Sequence, residues 1–457
     1  MSVFGSSLLG FLIAVAILVT VHEFGHYLVA RWCGVAVERF SIGFGPVILK
    51  WMGKRGIFRG TEFAISALPL GGYVRMYDTR NPSAEQGANI PAHEAFDRQP
   101  LWKRSSIVAA GPIANFVLAA LLYAVALSAP ERDLAAQLAT PTKQSAAFEA
   151  GLRGGERIVS VAGRDVAHWG EVRWQLLVHL FDDELELTVD DAGVERNFVL
   201  RRETAALADA GGTSKRLTSW GLAFDQPPIL GRVVSGGPAE AAGLRAGDTV
   251  KSVNGAPVRQ WSDMTALVQK SAGQRMEFTV LRAGSVQDFS VTPKSVDNGG
   301  VRIGRIEVAP QSAAELDSRL LVDYQRSPMT AIAEGVRRSV DATWLTVRVL
   351  GAMVTGEVSL RQISGPLSMA EGAGATLKQG FTAFVMFLAI VSVSIGVLNL
   401  LPVPMLDGGQ LLYHLFEAIK GAPLSERVEA LGQRIGIGFV TALTALALYN
   451  DFLRIFS

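Results

Sequence analysis

Two histidines four residues apart, with a glutamate beside the first, occur early in the chain: His22-Glu23-Phe24-Gly25-His26. On a helix, residues four apart share a face, so both imidazoles can reach one ion. Glu23 then stands where it can take a proton from a water held by that ion. The segment lies inside an apolar run from about Val3 to Ala30. Ionisable groups in a membrane-length apolar run are costly and mark a functional site. Two satisfied core histidines on a buried helix would be the plain alternative.

A catalytic zinc site takes three protein ligands and keeps one position open, so a third ligand must come from elsewhere. Another apolar run ends in Asn399-Leu400-Leu401-Pro402-Val403-Pro404-Met405-Leu406-Asp407-Gly408-Gly409. Its prolines break a helix and its glycines allow close backbone approach, so irregular backbone can line a cavity at membrane depth. Among the other histidines, His93 sits in a polar loop, and His168 and His179 read as ordinary surface or core residues. His414, with Glu417 nearby, is the rival to Asp407.

The elements that must position these residues are long and apolar. Four segments approach the roughly 20 residues a bilayer crossing needs: Val3–Ala30, Ser105–Ala129, Phe381–Leu401 and a weaker one at Ile435–Tyr449, interrupted by Gly436 and Gly438. The chain has 457 residues, 49% of them hydrophobic, with a mean hydropathy of +0.28. These values suit a few spans plus a water-soluble part. Charges balance at 43 Lys+Arg against 42 Asp+Glu, which points away from nucleic acid. Cys33 is the one cysteine, so no intrachain disulfide is possible. The first charge is Glu23 and no basic leader precedes it, so the N-terminus does not read as a signal peptide. The loop between the first two spans is rich in Arg and Lys and is expected on the cytoplasmic side. Both termini and the region of about 130–378 are then expected on the opposite side.

That region holds an internal repeat of about 80–90 residues. Ala147–Gly163 and Ala239–Gly255 share the pattern A-x-x-A-G-L-x-x-G-[DE]-x-[IV]-x-S-V-x-G. The pattern resembles PDZ domains of the bacterial protease type. PDZ domains take peptides by adding a strand at a sheet edge. For the second copy, the resemblance places the peptide groove at Gly221, Leu222 and Phe224, faced by Met264 and Leu267 from a helix. The alternative is that both grooves are vestigial and the domains act as obstructions. Farther on, Pro328 to Gly356 mixes apolar and charged residues at helical spacing. It suits either a bilayer surface or a seat against the repeats.

H-E-x-x-H in a first span, N-x-x-P-x-P-x-L-D-G-G after a later span and paired PDZ repeats together resemble the site-2 proteases, which are intramembrane zinc metalloproteases. The resemblance covers nearly the whole chain. It implies an α-helical polytopic membrane protein with four transmembrane helices, a membrane-associated β-hairpin and two periplasmic α+β, barrel-like PDZ domains. In residues, it implies a first span at 1–30, a cytoplasmic loop at 31–104 with the hairpin at about 60–77, and a second span at 105–129. PDZ domains follow at 130–218 and 219–310, then a linker with an amphipathic helix at 311–378. The third span is placed at 379–402, the active-site loop at 403–428 and the fourth span at 429–457.

Carried over by position, His22, His26 and Asp407 match the zinc ligands and Glu23 the catalytic acid/base. Asn399, Pro402 and Pro404 match substrate-holding residues. Gly111-Pro112-Ile113-Ala114-Asn115 matches a motif that puts Asn115 near the site, and Asn115, with Gly72, Tyr73 and Val74 on the hairpin, is expected to help bind substrate. The implied substrates are single-span membrane proteins in a bacterial inner membrane: anti-sigma factors already trimmed by an upstream site-1 protease, and signal peptide remnants. A scaffold with a structural metal would want four ligands, and the chain offers three.

Overall fold

The computed structural model describes residues 3–80, 90–143, 145–202, 216, 219–224, 226–298, 301–311 and 320–456. It divides into a helical unit, up to Pro130 and again from Gln325, and an inserted unit, Glu131–Tyr324. Among the described residues, four helices are long and apolar enough to cross a membrane: Gly5–Trp32, Leu101–Ser128, Phe381–Asn399 and Arg427–Arg454.

Helix α1 (Val3–Trp32) carries the His-Glu-His segment. It stops where Gly34 turns left-handed and the Val35 N–H reaches back to Ala30 O, a Schellman end. Strands β1 (Val37–Met52) and β2 (Glu62–Met76) then fold into one bent sheet. Arg39–Ile42 of β1 is flanked by Gly72–Arg75 on one side and Glu62–Ile65 on the other, and Leu49–Met52 extends the sheet past Glu62–Ile65. Gly72–Arg75 is therefore an edge. The hairpin expected from about residue 60 takes its other half from β1, which polar Ser41 and Arg39 had disguised. Its surface exposes Ile48, Leu49, Trp51, Met52 and Leu68.

Helix α2 (Leu101–Ser128) has two faces. Ile107, Gly111, Asn115, Ala119 and Tyr123 are buried, while Ile113, Val117, Leu121 and Val125 form an exposed apolar stripe at i, i+4 spacing. Such a stripe is unfavourable against water and neutral against lipid tails.

The inserted unit opens with β3 (Glu131–Leu134). Its first repeat comprises α3 (Ala146–Glu149), β4 (Arg157–Val161), β5 (Arg164–Asp165), α4 (Trp169–Val178), β6 (Glu184–Asp191) and β7 (Val194–Arg201). Its second comprises β8 (Leu230–Val233), α5 (Pro238–Ala241), β9 (Thr249–Val253), β10 (Ala256–Pro257), α6 (Trp261–Lys270), β11 (Met276–Arg282) and β12 (Ser285–Val291). The hairpin β13 (Lys294–Asn298)–β14 (Val301–Arg305) and the strand β15 (Val308–Pro310) follow, and β16 (Leu321–Tyr324) pairs with β3. The strand orders β5-β4-β6-β7 and β10-β9-β11-β12 are the same, so the sequence repeat is a repeat of structure. Each copy has its own apolar core, around Trp220 and Ile158 in the first and Phe278 and Val250 in the second.

One expectation is corrected here. Trp220, Leu222 and Phe224 lie in the first repeat's core, not in the second's groove. Phe224 bridges to Leu138, and the Ala147 N–H bonds Trp220 O. In the second copy the same bond runs from the Ala239 N–H to Ile306 O, and β15 pairs with β8. The segment from Trp220 therefore closes copy one, as the segment from Ile306 closes copy two. Each repeat is completed by a strand that follows its ladder in sequence, so the dividing point expected at 218/219 falls too early. Residue 218 itself lies outside the described residues.

The helical unit resumes with α7 (Pro328–Val354). It lies along α2, where Gly335 fits against Ala120 and Ala124 and Ser339 Oγ donates to Phe116 O. Met329, Ile332, Val336, Val340 and Trp344 are left exposed along one side. Then come α8 (Pro366–Gln379), α9 (Phe381–Asn399), α10 (Asp407–Lys420) and α11 (Glu426–Phe456). The buried Asp451 of α11 accepts from the N–H groups of Gly365, Leu367 and Ser368. It caps α8, which accounts for a carboxylate in an apolar helix.

Candidate metal centre

His22 and His26 do share a face of α1, and Asp407, the first residue of α10, comes to meet them. The two Nε2 atoms are 3.3 Å apart, and Asp407 Oδ2 lies 3.2 Å from His22 Nε2 and 3.5 Å from His26 Nε2. A tetrahedral ion with bonds of about 2.0–2.1 Å separates its ligand atoms by about 3.4 Å. Asp407 Oδ2 is buried and makes no hydrogen bond, as expected of an oxygen shaped for an ion. The residues present fit a zinc ion.

The other ring nitrogens are held by α2. His26 Nδ1 lies 2.8 Å from Ile107 O. A carbonyl only accepts, so Nδ1 carries the hydrogen and Nε2 keeps its lone pair for a metal. His22 Nδ1 is 3.1 Å from the side-chain amide of Asn115, whose Oδ1 is buried and unbonded. Amide O and N are assigned by hydrogen-bond logic, and a metal on Nε2 turns the amide oxygen toward Nδ1–H. Asn115 is fully buried behind His22. It thus positions an imidazole, where the resemblance had it holding substrate.

Close backbone approach makes this possible. A Cβ on Gly111 would lie 2.2 Å from His26 Nε2 and 2.8 Å from His22 Cε1, and one on Gly25 would lie 2.4 Å from Ala110 O. Gly408 and Gly409 play the same part for Asp407. Methyl groups there would fall 2.3 Å from Leu400 O and 2.2 Å from Val403 O. Pro402 and Pro404 belong to this turn between α9 and α10. Pro404 packs on Gly409, a role in shaping the loop.

A cavity of about 560 Å³ opens over the cluster. Glu23, Gly72, Tyr73, Val74 and Asn399 line it together with His22, His26 and Asp407. The edge strand Gly72–Val74 faces Glu23, which packs 3.3 Å from where a Gly72 Cβ would stand. His414 stands apart from the cluster, with Nδ1 3.2 Å from Ser105 Oγ. Burial and the Arg104 charge hold its pKa below the usual imidazole value, against Glu417. Arg104 grips Glu417 through both nitrogens, at 3.2 and 2.5 Å. This pair ties α2 to α10, and sequence reasoning missed it because the partners are distant in the chain. It missed Ile107 as well, because a backbone acceptor leaves no residue signature.

Residues 10–443 match the family model described as peptidase family M50. A protein of Vibrio cholerae named as a zinc metalloprotease is 39% identical over 457 residues, covering 98% of each chain. One so named in Neisseria meningitidis is 38% identical over 452 residues, covering 98% of this chain and 99% of that one. The regulator of sigma-E protease RseP of Escherichia coli is 37% identical over 451 residues, covering 98% of both. The chain belongs to peptidase family M50, the site-2 proteases. As a site-2 protease it is a zinc-dependent metallopeptidase, and its apolar helices make it a membrane protein.

The inserted unit of this protease has a second cavity of about 560 Å³, between α6 and the Gly304–Pro310 segment. Met264 lines it, with Val268, Ile306 and Val308, and Leu267 packs against the same core. Gly221, Leu222 and Phe224 are elsewhere, closing the first repeat.

Proposed function

We propose that His22, His26 and Asp407 hold the zinc, that Glu23 is the catalytic acid/base, and that the protein cuts membrane-spanning segments of single-span proteins. The observation that carries this reading is the trio of ligand atoms 3.2–3.5 Å apart on the wall of a cavity that Glu23 also lines. Bound zinc supplies Lewis acidity toward a peptide carbonyl and activates water for attack. Glu23 takes the water's proton and delivers it to the leaving amine.

A transmembrane helix hides its carbonyls in internal hydrogen bonds, so a substrate must unwind and find substitute partners. The edge Gly72–Val74 offers backbone groups beside Glu23, and Asn399 offers an amide in the same cavity. Pro402 and Pro404 act behind them by fixing the turn. The apolar surface of the β1–β2 sheet suits a bilayer. The two repeats act as PDZ domains on the periplasmic side of an inner membrane, with the catalytic cavity toward the cytoplasm. They serve as a size filter that admits substrates, such as anti-sigma factors of a sigma-E stress response or signal peptide remnants, only after a site-1 protease has trimmed them. The groove at Met264 and Leu267, closed by Ile306 and Val308, is the peptide sensor in the second repeat.

The test compares wild type with Glu23→Gln in detergent, on a single-span substrate lacking its outer domain. Cleavage is expected to fall by more than about 10³-fold with zinc content unchanged. Equal cleavage by both would remove Glu23 from the chemistry.

A further inference from the structure

A second histidine–carboxylate cluster lies in the inserted unit, remote in sequence from the catalytic residues. His168, at the start of α4, has a side chain only 1% exposed. Its Nδ1 lies 2.8 Å from Asp133 Oδ2. That oxygen also accepts from the Gly170 N–H, and Asp133 Oδ1 accepts from the Leu134 N–H. Asp133 is thus held by two backbone donors and fixes the imidazole with its hydrogen on Nδ1. The other nitrogen, Nε2, is buried and makes no hydrogen bond. Two carboxylates face it: Glu131 Oε2 at 3.5 Å and Glu171 Oε1 at 3.9 Å. Glu171 is anchored by its other oxygen, which accepts from the Ala167 N–H at 2.6 Å.

We infer that His168 Nε2, Glu131 and Glu171 form a second divalent-cation site, of the zinc class, with Asp133 as the carboxylate that orients the histidine. The arrangement is the one metal-binding histidines adopt: one ring nitrogen toward the ion, the other hydrogen-bonded to a carboxylate. The Nε2–Glu131 spacing equals the 3.5 Å between His26 Nε2 and Asp407 Oδ2. Glu131, Asp133 and His168 each offer an atom within 4.8 Å of the others, and Glu171 adds an oxygen 3.9 Å from Nε2. A nitrogen donor with two carboxylates selects zinc over calcium or magnesium, which prefer all-oxygen shells. Glu131 is partly exposed, so an ion can enter and keep a water. A filled site ties β3 to α4. Because β3 pairs with β16, the ion braces the strands by which the chain enters and leaves the inserted unit. The role is structural, since no second carboxylate stands ready as an acid/base in the way Glu23 does.

The test uses the full-length protein in detergent, stripped with chelator and dialysed against micromolar zinc, with metal counted per chain by mass spectrometry. Wild type is expected to hold two zinc ions. His168→Gln and Glu131→Gln are each expected to hold one and to retain cleavage of a short single-span substrate. His22→Ala is expected to hold one and lose cleavage, and His22→Ala with His168→Gln none. The Glu131 side chain is 39% exposed against 1% for His168, so its change disturbs packing less and separates metal loss from misfolding. Zinc should raise the melting temperature of His22→Ala but not of the double variant. One zinc in wild type, absent in His22→Ala and unaffected by Glu131→Gln or His168→Gln, would overturn the inference. The cluster would then be a protonated histidine among carboxylates.

Discussion

Glycines where helices of the helical unit cross make room, whereas those at the hairpin turns of the inserted unit make turns. A methyl group on Gly25, Gly111 or Gly335 would collide at 2.2–2.5 Å with Ala110 O, His26 Nε2 or Ala120 O. Gly163 and Gly255 have nothing within 4 Å of such a group, but sit at φ of +71° and +75°. The contrast follows from the solvent each unit is built for. Helices in lipid gain nothing from hydrophobic burial and associate by close backbone contact and hydrogen bonds. Sheets in water are held by apolar cores, and their register depends on turn handedness. The same substitution should therefore act through contact in one unit and through backbone conformation in the other.

The largest effect that follows is at Gly111. Gly111→Ala pushes a methyl group into the His26 ring and is expected to abolish zinc binding and cleavage together, while leaving the inserted unit folded. Gly255→Ala is expected to keep zinc and cleavage and to cost about 1 kcal/mol locally. Zinc content and substrate cleavage measured on both variants check this. Normal zinc in Gly111→Ala would break the comparison at its strongest point.

The metal centre was legible to the degree that its parts have residue signatures. The i, i+4 histidines announced a shared face, and the Asp407-Gly408-Gly409 turn announced a close approach at a membrane boundary. Four apolar lengths announced the spans, although α11 runs well past Ile435–Tyr449 because apolar content marks only its middle. Gly111 could be read as helix packing but not as the cradle of an imidazole, since that depends on where α1 crosses α2. Asn115 was legible as near the site but not as the partner of His22. The limit of each repeat was illegible for a different reason. The closing segment at Trp220–Phe224 follows its own ladder in sequence, and its place is set by backbone pairing with Leu138 that leaves no side-chain pattern.

An intermediate effect is expected at the cavity wall, where contact and strand pairing meet. A Cβ on Gly72 would stand 2.8 Å from Ser41 O and 3.3 Å from Glu23 Cγ. Gly72→Ala should shift the edge strand and the acid/base by a fraction of an ångström. Such misplacement costs up to about 10²-fold in rate. Zinc should stay bound, because neither imidazole is touched. Cleavage rate beside zinc content separates this from Gly111→Ala, and loss of zinc in Gly72→Ala would show that the two glycines serve one function.

The smallest effect sharpens the comparison inside the inserted unit, between the two copies of one turn. In both, two residues join paired strands: Ala162-Gly163 between Val161 and Arg164, and Asn254-Gly255 between Val253 and Ala256. Both first positions are left-handed, at φ of +49°. Asn adopts that conformation at a lower cost than alanine. Asn254 gains further, since its Oδ1 accepts from the Glu277 N–H at 2.7 Å. Glu186 occupies the matching ladder position, accepting from the Ala162 N–H as Glu277 accepts from Asn254. An amide side chain at 162 would therefore find the same donor. Ala162→Asn is expected to stabilise the first repeat by about 1 kcal/mol, and Asn254→Ala to destabilise the second by a similar amount. Hydrogen exchange of the β4–β6 and β9–β11 amides reads each copy separately. Protection rising in one and falling in the other would show that the copies share one turn rule. No gain from Ala162→Asn would mean that the first copy's turn is held by its surroundings rather than by its own residues.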